Sequence, residues 1–193
     1  MSRGPVYGED RQMIEIRKID REHREDINIP NEPFSLFGKL LVSYSDGKWE
    51  WDTEFYEKAN VTEMCFPDEN YDYDSMPDCV FLGAYDGEKC VGLAIMQKAF
   101  FKYMYLYDLK VNKEYRRDGV GRMLIDSAKD LASELAYSGI YARGQDNNLG
   151  ACLFYLSSGF CIGGLDTNVY RHTNQDGKAD IFFYCEANIK EIG

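Results

Sequence analysis

Histidine is nearly absent from this 193-residue chain, which has only His23 and His172, and its six cysteines form no CxxC pair and no Cys/His grouping. Zinc sites need such ligands at short spacing, so no metal is expected. Cys65, Cys79, Cys90, Cys152, Cys161 and Cys185 instead read as scattered reduced thiols, several of them acting as small hydrophobes within apolar patterns. Long apolar runs are also missing. No hydrophobic segment follows the MSRGPVYGED start, and no run approaches transmembrane length, so a cytoplasmic protein is expected. Bases are in deficit: 22 Lys and Arg stand against 33 Asp and Glu, a formal charge of −11. That balance disfavours nucleic acid and anionic membrane as partners. Repeats and low-complexity tracts are lacking too. The expectation is one domain over residues 11–193 behind a disordered lead-in at 1–10. Monomer and homodimer both remain open.

The bases that exist are concentrated. Lys110, Lys113, Arg116, Arg117 and Arg122 form an island, whereas residues 63–88 carry eight acids and no Lys or Arg. The acidic stretch, including Asp72 and Asp74, suits attraction of a cationic amine, although a solvated loop would look the same. Inside the basic island lies Arg116-Arg117-Asp118-Gly119-Val120-Gly121, between an apolar strand pattern at 104–111 and an amphipathic helix pattern. Glycines at that junction allow a tight turn and close approach of a bulky anion. Amides at a helix start lack intrahelical partners and sit at the positive end of the dipole, a cradle suited to pyrophosphate. The spacing Arg-x-x-Gly-x-Gly is neither GxxxxGK followed by Ser or Thr nor GxGxxG, which excludes a nucleotide-triphosphatase loop and makes a dinucleotide fold a poor match. A plain loop before a helix remains the alternative for Gly119 and Gly121, and a helix C-cap for Gly159-Phe160.

Periodicity predicts the remaining elements. Met13–Ile19 reads as a first strand. Phe34–Tyr44 and Lys48–Tyr56 flank Asp46-Gly47 as a hairpin, with Trp49, Trp51 and Phe55 alternating against polar residues. Ala59–Pro77 reads as loop or short helix. Cys79–Tyr85 and Lys89–Gln97 form a second hairpin across Asp86-Gly87, followed by Met104–Val111. Helix Val120–Tyr137 places Val120, Leu124, Ala128, Leu131 and Leu135 on one face. Ile140–Arg143, a helix at Asn148–Ser157 with Asn148 as N-cap, and strands at Phe160–Tyr170 and Asp180–Glu186 complete the chain.

Arg116-x-x-Gly119-x-Gly121 resembles the acyl-CoA signature of the GNAT superfamily of N-acetyltransferases. About thirty residues on, Asn148-x-x-Ala151-x-x-Phe154-Tyr155 followed by Gly159-Phe160 is similar to a second segment of that family, in the same order and separation. The resemblance implies an α/β GNAT fold: a mixed, mostly antiparallel sheet flanked by helices, with the fourth and fifth core strands splayed apart around a thioester. Within the superfamily the chain resembles the streptothricin acetyltransferases over most of its length. The shared stretches are Glu32–Gly38, Asp46-Gly47-Lys48-Trp49, Tyr107-Asp108-Leu109, Gln145–Asn148, Ala151–Tyr155 and Gly159–Asp166. The hairpin at 34–56 is an elaboration on the general fold. Two positions depart from these relatives: Tyr107 and Arg143 stand where they carry glutamate.

By that resemblance the co-substrate is acetyl-CoA and the acceptor a small cationic amine of streptothricin type. The pantetheine lies along the backbone of Leu109 and Val111 and against Asn148. The pyrophosphate takes the amides of Arg117–Arg122, within the motif opened by Arg116. Tyr155 matches the general acid that protonates the departing thiolate. Asp108 is the candidate to bind the ammonium or to take its proton, with Tyr107 beside it. Asp72, Asp74 and Trp51 are candidates on the acceptor side, the last as part of an aromatic wall with Trp49, Tyr71 and Tyr73. Polyamine or protein-amine acetylation, and acyl-CoA binding without catalysis, are the competing readings.

Overall fold

The computed structural model describes residues 13–188, so the lead-in expected at 1–10 lies outside them. Seven strands form the central sheet in the order β1-β6-β7-β8-β9-β11-β10. They are β1 (Glu15–Lys18), β6 (Cys79–Asp86), β7 (Lys89–Gln97), β8 (Tyr103–Val111), β9 (Gly139–Gln145), β10 (Cys161–Asp166) and β11 (Asp180–Glu186). Every pairing is antiparallel except β8 with β9. Two small sheets precede this core: β2 (Phe34–Leu36) with β5 (Thr62–Met64), and β3 (Gly38–Ser45) with β4 (Lys48–Phe55). Helix α1 (Val120–Glu134) follows β8, and helix α2 (Leu149–Ser157) follows β9.

Strand alternation divides the buried residues into two layers. Leu82, Ala84, Val91, Ala94 and Met96 join the larger cluster beneath both helices. Phe81, Tyr85, Leu93 and Ile95 join a smaller one on the opposite side, beneath the 3-10 turn at Arg24–Asn28. The apolar stripe of α1 buries Val120, Leu124, Ile125, Ala128, Leu131 and Ala132.

Several boundaries differ from expectation for local reasons. α1 ends three residues early. The amide of Tyr137 bonds the carbonyl of Ala132, and that of Ala136 the carbonyl of Ser133, a Schellman closure with Ala136 at φ 61°. Leu135 is left 39% exposed rather than on the buried stripe. The hairpin's first arm breaks at Phe37, so that Phe34–Leu36 pairs with Thr62–Met64, a strand inside the segment expected to be loop or short helix. Asp46 and Gly47 both take positive φ as a type I′ turn requires. In the second hairpin Asp86 pairs with Lys89, so the two-residue loop is Gly87-Glu88. The late strand stops at Asp166, whose Oδ1 accepts from the amides of Asn168 and Val169 and turns the chain.

Candidate functional site

β8 and β9 pair only from Tyr103 with Gly139 to Tyr105 with Tyr141, and then part. Beyond Tyr105 the edge of β8 has no strand partner on that side, so its backbone is open at Leu109 and at the Val111 amide, while the Val111 carbonyl accepts from Arg116. Tyr107 is the extra residue of a bulge: Ile95 faces Asp108 and Met96 faces Leu106, so Tyr107 opposes nothing. The opening is a cleft of about 400 Å³ lined by Tyr105, Tyr107, Asp108, Arg143, Asn148 and Tyr155 among others.

At the start of α1, Gly119 is the N-cap with φ 87° and no side-chain cap bond. A Cβ there would meet nothing within 4 Å. The first i→i−4 bond runs from Met123 to the Gly119 carbonyl, so the amides of Val120, Gly121 and Arg122 have no intrahelical partner. Arg117 is exposed and also left-handed, at φ 71°, beside the exposed Asp118. Space, donors and positive potential thus coincide, and they fit a diphosphate.

Other parts of the motif do different work from that expected. The guanidinium of Arg116 donates to the carbonyls of Val111 and Pro33 at 2.9 and 2.8 Å, and lies 3.8 Å from Glu32, so it ties the loop to the N-terminal segment rather than facing a ligand. Arg122 donates to the Ser157 carbonyl at 2.7 Å and caps α2, leaving only its amide in the cradle. A Cβ on Gly121 would lie 3.1 Å from the Phe154 ring, so this glycine serves the contact between α1 and α2. Asn148, by contrast, is the N-cap of α2 as expected, its Oδ1 accepting from the Ala151 amide at 3.2 Å.

Asp108 and Tyr155 both reach the cleft. The Asp108 side chain is 19% exposed, and its Oδ2 accepts from the Tyr71 hydroxyl at 3.1 Å and lies 3.3 Å from Lys110 Nζ. Burial pushes the carboxyl above its usual range, against the opposing pull of the Lys110 ammonium. Tyr155 is buried among Phe154, Phe160 and Phe183, with ring centroids 5.6, 5.3 and 5.2 Å away. Burial, and then the charge of Asp108, raise its phenol well above the ordinary tyrosine value.

Three expected acceptor residues stand elsewhere. Trp51 is half-exposed on β4 opposite Val42 and does not line the cleft. Asp72 caps the 3-10 turn at Tyr73–Ser75, and Asp74 pairs with Arg21. The acidic segment reaches the site through Phe66, which lines the cleft, and through Tyr71 and Glu69. Lys110, read from sequence as part of the phosphate island, is buried against Glu69 and Asp108. Arg143 lies 2.6 Å from Asp180, whose other oxygen accepts from the Tyr170 hydroxyl. Charge runs alone could not show these pairings, because each joins residues at least ten positions apart in different elements, except the strand neighbours Asp108 and Lys110.

A sheet parted between two parallel strands, with an open helix N-terminus and with a partly buried carboxylate and a buried phenol lining the gap, fits an acyl-CoA-dependent transferase. The sequence profile of the Acetyltransferase (GNAT) family matches residues 46–160. The chain belongs to that family and is an acetyl-CoA-dependent acetyltransferase. It is 30% identical to streptothricin acetyltransferase A of Bacillus subtilis (strain 168), over 88% of this chain and 98% of the relative. A Bacillus anthracis str. Ames protein, provisionally assigned as a streptothricin acetyltransferase and solved in complex with acetyl coenzyme A, superposes with a TM-score of 0.79 at 27% identity, covering 92% of this chain and 100% of that one. A nourseothricin acetyltransferase shares the fold at TM-score 0.74 and 22% identity, over 91% and 99% of the two chains. The expected fold and co-substrate are thereby borne out.

Proposed function

We propose that this enzyme acetylates a primary amine of a small, cationic, streptothricin-like acceptor by direct transfer in a ternary complex. The observation that carries the reading is the partly buried Asp108 carboxylate in the same cleft as Tyr155, where an ammonium and a thioester can meet. The streptothricin acetyltransferases among its relatives support the acceptor class.

When bound, acetyl-CoA supplies the thioester carbonyl that the amine attacks. The unpaired edge of β8 at Leu109 and Val111 aligns the pantetheine arm, and a backbone amide there stabilises the oxyanion. The amides of Val120, Gly121 and Arg122, with Arg117 at the rim, hold the diphosphate. Asp108 binds the incoming ammonium and orients it. An alkyl ammonium of pKa about 10.4 must lose its proton before attack. Tyr155 carries a proton throughout the neutral range and gives it to the departing sulfur. The C–S bond breaks as the C–N bond forms; the nitrogen sheds one proton to solvent before attack and a second after it, which restores the Tyr155 phenol, and the products are the amide and the free thiol.

The test is a coenzyme A release assay over a panel containing streptothricin, polyamines and peptide amines. Turnover with streptothricin is expected. Turnover restricted to polyamines or peptides would refute the acceptor assignment, and acetyl-CoA binding without turnover on any amine would refute catalysis by this site.

A further inference from the structure

Lys110 stands on β8 at the edge of the cleft, yet its side chain is only 8% exposed. Its Nζ lies 2.6 Å from Glu69 Oε2 and 3.3 Å from Asp108 Oδ2, and 5.4 Å above the Tyr71 ring. Asn31 Nδ2 donates to the same Glu69 oxygen at 2.9 Å, and Tyr71 donates to the same Asp108 oxygen at 3.1 Å. Both contacts of Asp108 therefore fall on Oδ2, which leaves Oδ1 for a ligand in the cleft.

The charge count is informative. Glu69 and Asp108 are two carboxylates against the one ammonium of Lys110, so one negative charge is uncompensated in a half-desolvated site. The other charged groups facing the cleft, Arg143 and Asp180, neutralise each other at 2.6 Å. Tyr105, Tyr155 and Tyr170, whose phenols burial pushes up, line the cleft without charge at neutral pH, and Tyr107 lines it beside them. An acceptor's ammonium would supply the missing cation.

We infer that Lys110 is a positioning residue for the acceptor: it pins Asp108 as an ionised anchor with one oxygen toward the cleft. Through Glu69 it also ties down the 66–71 segment, whose Phe66 and Tyr71 wall the site. This rests on the acceptor reading above. It adds that a buried cation of the enzyme, absent from any signature in the sequence, sets the charge state on which amine recognition depends.

The experiment compares Lys110→Met, Lys110→Arg and Glu69→Gln with the full-length wild type. Removing the cation raises the carboxyl pKa of Asp108. In Lys110→Met the acid limb of kcat/KM for the amine therefore moves up by about 1–3 pH units. KM for the amine rises while the dissociation constant for acetyl-CoA is unchanged. Lys110→Arg restores the acid limb toward that of the wild type. Glu69 opposes ionisation of Asp108, so Glu69→Gln moves the limb the other way, to lower pH.

A purely structural lysine would lower stability and weaken both substrates together without moving the limb, and that result overturns the proposal. A second readout needs no turnover: the carboxyl 13C resonance of Asp108, assigned with Asp108→Asn, titrates at higher pH in Lys110→Met and at lower pH in Glu69→Gln. Unmoved midpoints in both variants overturn the role of Lys110 even if an acceptor is found. Shifted midpoints in an enzyme that turns over no amine uphold that role and reject the acceptor reading alone.

Discussion

Replacing Tyr155 by phenylalanine removes one oxygen from a ring that is otherwise held by packing. The ring sits within 5.6 Å, centroid to centroid, of Phe154, Phe160 and Phe183. Among the described residues its hydroxyl makes no hydrogen bond. Tyr155→Phe therefore strands no protein partner and opens no cavity, and stability should change by no more than about 0.5 kcal/mol. The catalytic effect is of a different size. Loss of a positioned acid costs about 10²-fold where the leaving group is already a tolerable thiolate, which is about 2.7 kcal/mol of transition-state stabilisation. The dissociation constant for acetyl-CoA, set at the helix N-terminus and along β8, should be unchanged by calorimetry. Burial and the Asp108 charge keep the phenol protonated through the neutral range, so the ratio of wild-type to variant kcat should be flat from about pH 6 to 9. The assay is loss of the thioester's ultraviolet absorbance under saturating amine, paired with a thermal melt. Equal kcat values at unchanged melting temperature would refute the assignment of Tyr155 as proton donor. A fall in acetyl-CoA affinity of the same size would place the hydroxyl in binding instead.

Other perturbations test the remaining links. Arg117→Glu reverses an exposed charge at the rim of the cradle and should weaken acetyl-CoA about tenfold at low salt, less at high salt, with no change in melting temperature; a salt-independent effect would refute an electrostatic role. Gly121→Glu should lower stability by about 1–3 kcal/mol, because the new side chain starts 3.1 Å from Phe154; a stable variant that fails only to bind acetyl-CoA would restore the ligand-approach reading of this glycine. Ala136→Gly should raise stability by about 0.5 kcal/mol, relieving the left-handed strain at φ 61° against the entropy of an added glycine; a destabilised variant would mean the entropy term dominates. Native-state labelling near pH 8 should reach Cys65 and Cys161, which are exposed, and spare Cys90 and Cys152, whose thiols burial pushes up to about 11 and about 12; rapid labelling of Cys152 would show that α2 opens.

What the chain's order of residues determined by itself was local and periodic. The repeat of Val120, Leu124, Ala128 and Leu131 dictates a helix with one buried face, and Asp46-Gly47 dictates a tight hairpin, because both depend on neighbours within a few residues. The cradle at Gly119–Arg122 was legible for the same reason: the first amides of any helix lack intrahelical partners, and a glycine before them brings no side chain to cap them. Tertiary structure alone decided which charges meet. Lys110 and Arg117 are alike in sequence, yet one is buried between Asp108 and Glu69 while the other is exposed at the helix mouth. Asp72 and Asp74 looked as suited to an amine as Glu69, but a 3-10 turn and Arg21 took them. The parting of β8 from β9 after Tyr105 likewise follows from how strands distant in the chain pair, a matter of burial and register across the whole sheet that no local spacing encodes.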